Sequence, residues 1–169
     1  FTEALAARQN GENSTTQLLT DAARLYDRAN ERRWSAIAHY TLGRMLYIRG
    51  KNWLAAEQAA ETAANAFHKL GDFVNAARAQ VLAASTLIER AGELSGVENR
   101  VERLAILKGA DDRLQRSAAQ FRKDKKLVDL ADALTFAGVG RWSARNVVGA
   151  REAFSEAADL SRASNDSFF

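Results

Sequence analysis

No proline occurs in the 169 residues of this chain. Proline is the residue that most firmly ends or kinks a helix, because it lacks an N–H and fixes φ. Without it, breaks between helices must come from glycine and short polar clusters, and 10 glycines are present. Alanine is the commonest residue, and Leu, Glu, Arg and Gln supply much of the remainder; all are strong helix formers. The expectation is an all-α fold. A chain of this length can bury about 70% of the surface its unfolded form exposes, enough for a real core.

Within that helical background, small and large residues recur at fixed spacing over 134–160, LTFAGVGRWSARNVVGAREAFSEAADL. Two antiparallel helices approach closely only where Gly138, Ala150 and Ala157 carry almost no side chain, while Leu134 and Phe154 fill the space beside them. This spacing resembles the tetratricopeptide repeat, a helix-turn-helix unit of about 34 residues with W-x2-L-G-x2-Y followed by A-x3-F. Leu134 stands at the Trp position, Ala137-Gly138 at the Leu-Gly pair and Arg141 at the Tyr. Ala150 and Phe154 stand at the A-x3-F, and Ala157 at the small site after it. Arg141 departs from the aromatic of the pattern, and no proline closes the unit. The resemblance implies an α-solenoid of stacked antiparallel helix pairs, a tetratricopeptide-like superhelix. The interval from Leu42 to Leu82 is 40 residues, which resembles the longer repeats of bacterial signalling and regulatory proteins.

Taken in order, residues 1–9 read as the tail of a helix, Asn10 to Asn13 as a loop, and Ser14 as the cap of the next helix. From Thr16 to Arg28, Leu18, Leu19, Ala22, Leu25, Tyr26 and Ala29 recur at helical spacing, leaving Asp21, Arg24, Asp27 and Arg28 for water. The next helix opens at Trp34 and carries Ala38, Leu42-Gly43, Leu46 and Tyr47 until Gly50 stops it. Its partner offers Ala56, Ala60 and Ala63 as a small-residue face if the turn holds one extra residue, or Ala55 and Ala59 if it does not. Leu70-Gly71-Asp72 closes that unit, and Phe73 to Arg90 forms the next helix with Ala79, Leu82-Ala83, Leu87 and Ile88. A longer helix, roughly Val97 to Arg122, has no clear register, although Val101, Leu104, Ala105, Ile106, Leu114, Ala118, Ala119 and Phe121 give it an amphipathic pattern. The units are then 1–30 (partial), 33–71, 72–124 and 126–166, within a single domain over 1–169. Phe1, Phe168 and Phe169 read as core residues without partners, so the chain is expected to be a piece of a longer protein that self-associates through a terminal face or is stabilised by flanking sequence.

Catalytic and metal chemistry finds little support. His39 and His68 are the only histidines and there is no cysteine, so neither metal-ligand spacing nor a disulfide framework is available. A cysteine-free chain suits a reducing cytoplasm, the expected compartment, and also a cysteine-poor periplasmic protein. Gly138-Val139-Gly140 begins a glycine run, but Ser143 stands at its third glycine position and no strand precedes it. Glu57 with Glu61, and Asp111 with Asp112, could pair for acid/base work; on alanine-rich helices such residues are solvated faces. No nucleophile stands beside a base, so no enzyme, cofactor or metal is expected. No apolar run reaches the ~18 to 20 residues a membrane span requires. Arg100, Arg103, Lys108, Arg113, Arg116, Arg122, Lys123, Lys125 and Lys126 crowd one region, interrupted by Glu98, Glu102, Asp111, Asp112 and Asp124. Mixed signs at one-turn spacing describe a soluble helix surface, and a net charge of +3 is small for nucleic-acid binding.

The resemblance implies that the first helix of each pair lines a concave face. Spacing from the packing positions selects Ile37, Tyr40, Arg44 and Tyr47, then Ala77, Gln80, Ala84 and Leu87, then Thr135, Val139 and Trp142. This face is aromatic, apolar and only locally basic, and it lacks the Lys and Asn set by which some family members clamp a terminal carboxylate. Tyr47 and Trp142 have a second reading, as packing between neighbouring pairs. The expected function is a non-catalytic scaffold or interaction module for a protein or peptide, including another domain of the same chain. The alternative is a small-molecule sensor in a multidomain regulator, and a nucleic-acid-binding helical repeat ranks below both.

Overall fold

The computed structural model describes residues 2–50, 52–94 and 96–166. Among them are seven helices: α1 (Thr2–Arg28), α2 (Arg32–Arg49), α3 (Trp53–Lys69), α4 (Phe73–Glu93), α5 (Arg100–Lys123), α6 (Leu127–Ser143) and α7 (Val147–Asp166). No strand occurs among the described residues. Each helix packs on its successor in sequence, and α4 also touches α2 and α6. Phe1, Phe168 and Phe169, expected as unpartnered core side chains, lie outside the described residues.

One turn recurs four times. Asn30, Gly71, Lys125 and Arg145 take positive φ values of 58°, 75°, 54° and 66°. Each donates its N–H to the carbonyl three residues back, and the next N–H donates to the carbonyl five residues behind it. This left-handed closure satisfies carbonyls that a helix end leaves orphaned. Glycine and asparagine are the residues expected here; lysine and arginine also serve, at a cost of about 1–2 kcal/mol each. Side-chain caps then start three of the helices. Asn52 accepts from the Ala55 N–H at 3.0 Å, Asp72 from Asn75 at 3.2 Å and Asn146 from Gly149 at 3.0 Å.

Three sequence expectations change. The loop at 10–13 is absent, because α1 runs through it unbroken. A helical glycine costs only about 1 kcal/mol, and the Thr15 hydroxyl donates to the Gly11 carbonyl at 2.9 Å, so nothing at this point stops the helix. Ser14 is therefore a mid-helix residue, not a cap. Among the described side chains of α1 Ala23 is buried, while Leu18 and Leu25 are exposed. The long helix starts at Arg100 instead of Val97, and its buried stripe is Leu107, Ala110, Leu114, Ser117, Ala118 and Phe121. Leu104, one turn before Leu107, lies at the edge of that stripe and Val101 away from it, and both are exposed.

On α3 the buried small residues are Ala56, Ala59, Ala60, Ala63 and Ala64, which takes in the register with the extra residue together with Ala59 of the other. Gly43 faces them so closely that a Cβ built on it would stand 3.2 Å from the Ala56 carbonyl oxygen and 3.2 Å from the Ala60 nitrogen. Between α4 and α7 the core enlarges around Leu107, Leu114 and Phe121, with Leu130, Leu134 and Ile88 beside them.

Ion pairs stitch the helices across the stack. Arg90 of α4 binds Glu57 of α3 at 2.7 Å, and Arg113 of α5 reaches Glu61 of α3 at 2.5 Å. Arg141 of α6 binds Asp111 of α5 at 2.8 Å, and Arg122 of α5 binds Glu156 of α7 at 2.6 Å. The carboxylates considered for acid/base work, Glu57, Glu61 and Asp111, are thus held by arginines. No described helix is long and apolar enough to cross a membrane.

Candidate functional site

A groove of about 560 Å³ opens between α2, α4 and α6. Its α2 wall carries Tyr40, Arg44, Tyr47 and Ile48, its α4 floor Asn75, Arg78, Val81, Leu82 and Ser85, and its α6 wall Asp129, Asp132 and Phe136. Phe121 of α5, almost wholly buried, closes the bottom. One bidentate pair spans it, because Arg78 donates through Nε and a terminal nitrogen to the two Asp129 oxygens at 2.7 and 2.8 Å. That geometry fixes α4 against α6 and orients both charges. The Asp129 interaction raises the Arg78 pKa further above its already high value.

Burial shapes the rest. It pushes the Tyr40 phenol up, opposed by the positive charges of Arg44 and Arg78. It does the same to the Tyr47 phenol, with Glu89 adding to it and Ser85 opposing. Both phenols are therefore neutral hydrogen-bonding groups on largely apolar rings. The Arg44 guanidinium lies over the Tyr40 ring at 5.9 Å from its centroid, and Tyr47 tilts against Trp53 at 5.8 Å. Tyr47 so combines the two readings open for it, packing on one side and lining the groove on the other.

The predicted residues divide by helix. On α2, Tyr40, Arg44 and Tyr47 come together in the groove, and Ile37 is exposed outside its lining. On α4 the predicted stripe is displaced by one residue. Ala77, Ala84 and Leu87 belong to the core, with Leu87 only 5% exposed. Gln80 points to the opposite side of α4, where Arg113 donates to it at 3.3 Å. On α6, Thr135, Val139 and Trp142 form the stripe beside the groove wall, with Trp142 61% exposed and outside the lining.

The shift has a geometric cause. Positions related by a repeat point in equivalent directions, whereas a groove bounded by three helices is lined by converging ones. The first helix contributes the flank turned towards α4, and α6 contributes the opposite flank, turned back towards it. One residue along a helix turns the side chain by about 100°, so Phe136 enters the groove where Thr135 does not. Arg78 and Asp132, absent from the residues that sequence spacing selects, carry one available signal: opposite charges on the first helices of adjacent units.

A second cleft, of about 570 Å³, lies between the end of α1 and α3, lined by Tyr26, Asp27, Asn65 and Lys69 among others. Its carboxylate is already engaged. Ser35 Oγ donates to Asp27 Oδ1 at 2.5 Å, and His39 Nε2 stands 3.2 Å from Asp27 Oδ2. The carboxylate sits between serine and histidine, so the imidazole is not placed to take the hydroxyl proton as nucleophilic catalysis requires. These three residues latch α1 to α2. Among the described residues, no group of three or more His, Cys, Asp or Glu side chains gathers as a metal site. Compared with known proteins, the chain matches no family model, and no curated relative matches it.

Proposed function

We propose that this chain is a non-catalytic interaction module of the tetratricopeptide type, an α-solenoid whose α2–α4–α6 groove receives a protein or peptide. The observation that carries the reading is the convergence of Tyr40, Tyr47 and Arg44 with Phe136 around one open groove between alternate helices. Tyr and Arg are enriched at binding hot spots, and buried aromatic anchors dominate the energetics of such contacts. Sequential helix packing and the ion pairs joining α3 to α5, α4 to α6 and α5 to α7 support a stack of pairs. A repeat of this kind is stable only when neighbours cover its apolar face. The reading places the protein in the cytoplasm, as a scaffold or signalling element.

Selection of a binder from a displayed random-peptide library tests it. The double variant Tyr40→Ala with Arg44→Glu should weaken the selected peptide by at least ~2 kcal/mol while the protein stays folded, with a cooperative melt. Equal affinity in a stably folded double variant places recognition on another surface. The groove volume also lies within the ~300–1,000 Å³ usual for small-molecule pockets, which supports a ligand-sensing role as the second reading. A cognate small molecule would then raise the melting temperature without any peptide. Nucleic-acid binding ranks last, because Arg113 and Arg122 of the basic region are engaged by carboxylates.

A further inference from the structure

The charges lining the groove do not all have partners. Arg78 and Asp129 satisfy each other through two hydrogen bonds. Arg44 on the opposite wall lies over the Tyr40 ring, and among the described residues neither it nor Asp132 makes a hydrogen bond or ion pair. Among the described residues the groove therefore offers one free cation on α2 and one free carboxylate on α6, with Tyr40 within electrostatic reach of both.

Resting on the groove reading, we infer that the occupant is a linear peptide segment of mixed charge: an acidic residue meets Arg44, a Lys or Arg meets Asp132, and an apolar side chain lies between them against Tyr40 and Phe136. The argument is charge complementarity. A purely acidic segment leaves Asp132 facing like charge, and a purely basic one does the same to Arg44, so each wall rejects what the other accepts.

The state of Asp132 agrees with that occupant. Burial raises its pKa and the neighbouring Asp129 charge raises it further. The charge acting on it is Asp129 on its own helix; across the groove the Tyr40 phenol of α2 interacts with it, and Arg78, committed to Asp129, and Arg44 line the same groove. An incoming cation reverses the burden on this carboxylate, so binding draws the pKa down and releases a proton. The sign is then fixed: affinity for the basic residue is full where Asp132 is ionised and falls as the pH drops through its raised pKa.

The test uses short acetylated and amidated peptides with a Leu-Phe centre, flanked by Lys and Glu, by two Lys, by two Glu or by two Gln, with binding followed by fluorescence polarisation. The Lys/Glu peptide should bind at least tenfold tighter than the Gln/Gln peptide. Asp132→Asn should erase the preference for Lys over Gln together with its pH dependence while retaining the preference for Glu, and Arg44→Gln should do the converse. A Lys preference that survives in Asp132→Asn, or no preference in the parent protein, overturns the inference. Peptides that bind without regard to charge and are lost in Tyr40→Ala overturn it as well, yet leave the groove reading standing. If no peptide of the panel binds, the mixed-charge occupant is rejected, and selection from the random-peptide library decides the groove reading separately.

Discussion

Gly43 and Gly138 hold the same place in their helix pairs and face different kinds of neighbour. At Gly43 a Cβ would meet the α3 backbone at Ala56 and Ala60, and on its other side Leu82 of α4, all at 3.2 Å. At Gly138 the three atoms nearest to a Cβ all belong to the Phe154 ring of α7, at 2.5 to 2.8 Å. The nearer contact is the softer one. Phe154 is 39% exposed and can turn aside, whereas the α3 backbone, met at two points, and a buried leucine from the next pair cannot. The close approach is set by surrounding rigidity more than by distance, and α2–α3 has α4 closing over it while the outer face of α6–α7 shows Val128, Val147 and Val148 to solvent.

The largest effect that probes this contrast is overpacking. Gly43→Leu should cost about 3 kcal/mol and Gly138→Leu about 1, the two ends of the range for inserting volume into packed sites. Urea unfolding at constant m-value measures both. Equal losses would show that Phe154 is as fixed as the α3 backbone. Gly138→Ala sharpens the point: replacing a helical glycine gains about 1 kcal/mol of propensity, enough to offset the displaced ring, so its net change should lie within about 0.5 kcal/mol.

The turns divide along similar lines. Asn30, Gly50 and Gly71, of the residue types best suited to left-handed backbone, take it in the first half of the stack, and Lys125 and Arg145 take it in the second. An L side chain there costs about 1–2 kcal/mol, and glycine recovers part of this against its own greater chain entropy. Lys125→Gly and Arg145→Gly should each stabilise by about 0.5–1 kcal/mol, and Gly71→Ala should destabilise by about 1. A Lys125→Gly protein no more stable than its parent would mean that a compensating contact of the lysine offsets the strain.

Legibility in the sequence divides in the same way, between local and converging features. Helix existence is readable because no proline and few competing signals oppose it, and a small-residue face on α3 opposite Gly43 is readable because close approach admits few residue types. Its register, Ala56 and Ala60 against Ala55 and Ala59, turns instead on the length of the turn, which spacing leaves open. The segment from Asn10 to Asn13 misleads, because its turn chemistry competes weakly with a helix already formed on both sides. The α2 wall is legible, since Tyr40, Arg44 and Tyr47 arise from one helix's own periodicity. Arg78, Asp132 and Phe136 are not, because the side of α4 or α6 that meets the groove depends on rotations between helices, which no single helix encodes.

The smallest effect concerns pH, and it contrasts the α1–α2 latch with the α3–α4 ion pair. The Ser35 hydrogen bond holds Asp27 below its ordinary value, burial opposes this and His39 adds to it. A depressed carboxylate stabilises the fold above the unfolded value of about 3.9, and that contribution is lost as the pH falls through the folded value. Glu57 behaves oppositely: burial raises it, outweighing the pull of Arg90. Its contribution is present below the unfolded value of about 4.3 and is lost as the pH rises through the folded one. Asp27 is half exposed, with a side-chain accessibility of 51%, so solvent screening keeps its share well under ~1 kcal/mol. Urea midpoints measured between about pH 3 and pH 5 should therefore fall less steeply with acid in Asp27→Asn than in the parent, and more steeply in Glu57→Gln. Added salt should shrink the first difference more than the second, because the Glu57 carboxylate is only 12% exposed and buried pairs are screened less. An Asp27→Asn protein with the parent's acid slope would show that the latch carries no net charge energy and holds α1 through the Ser35 hydrogen bond alone.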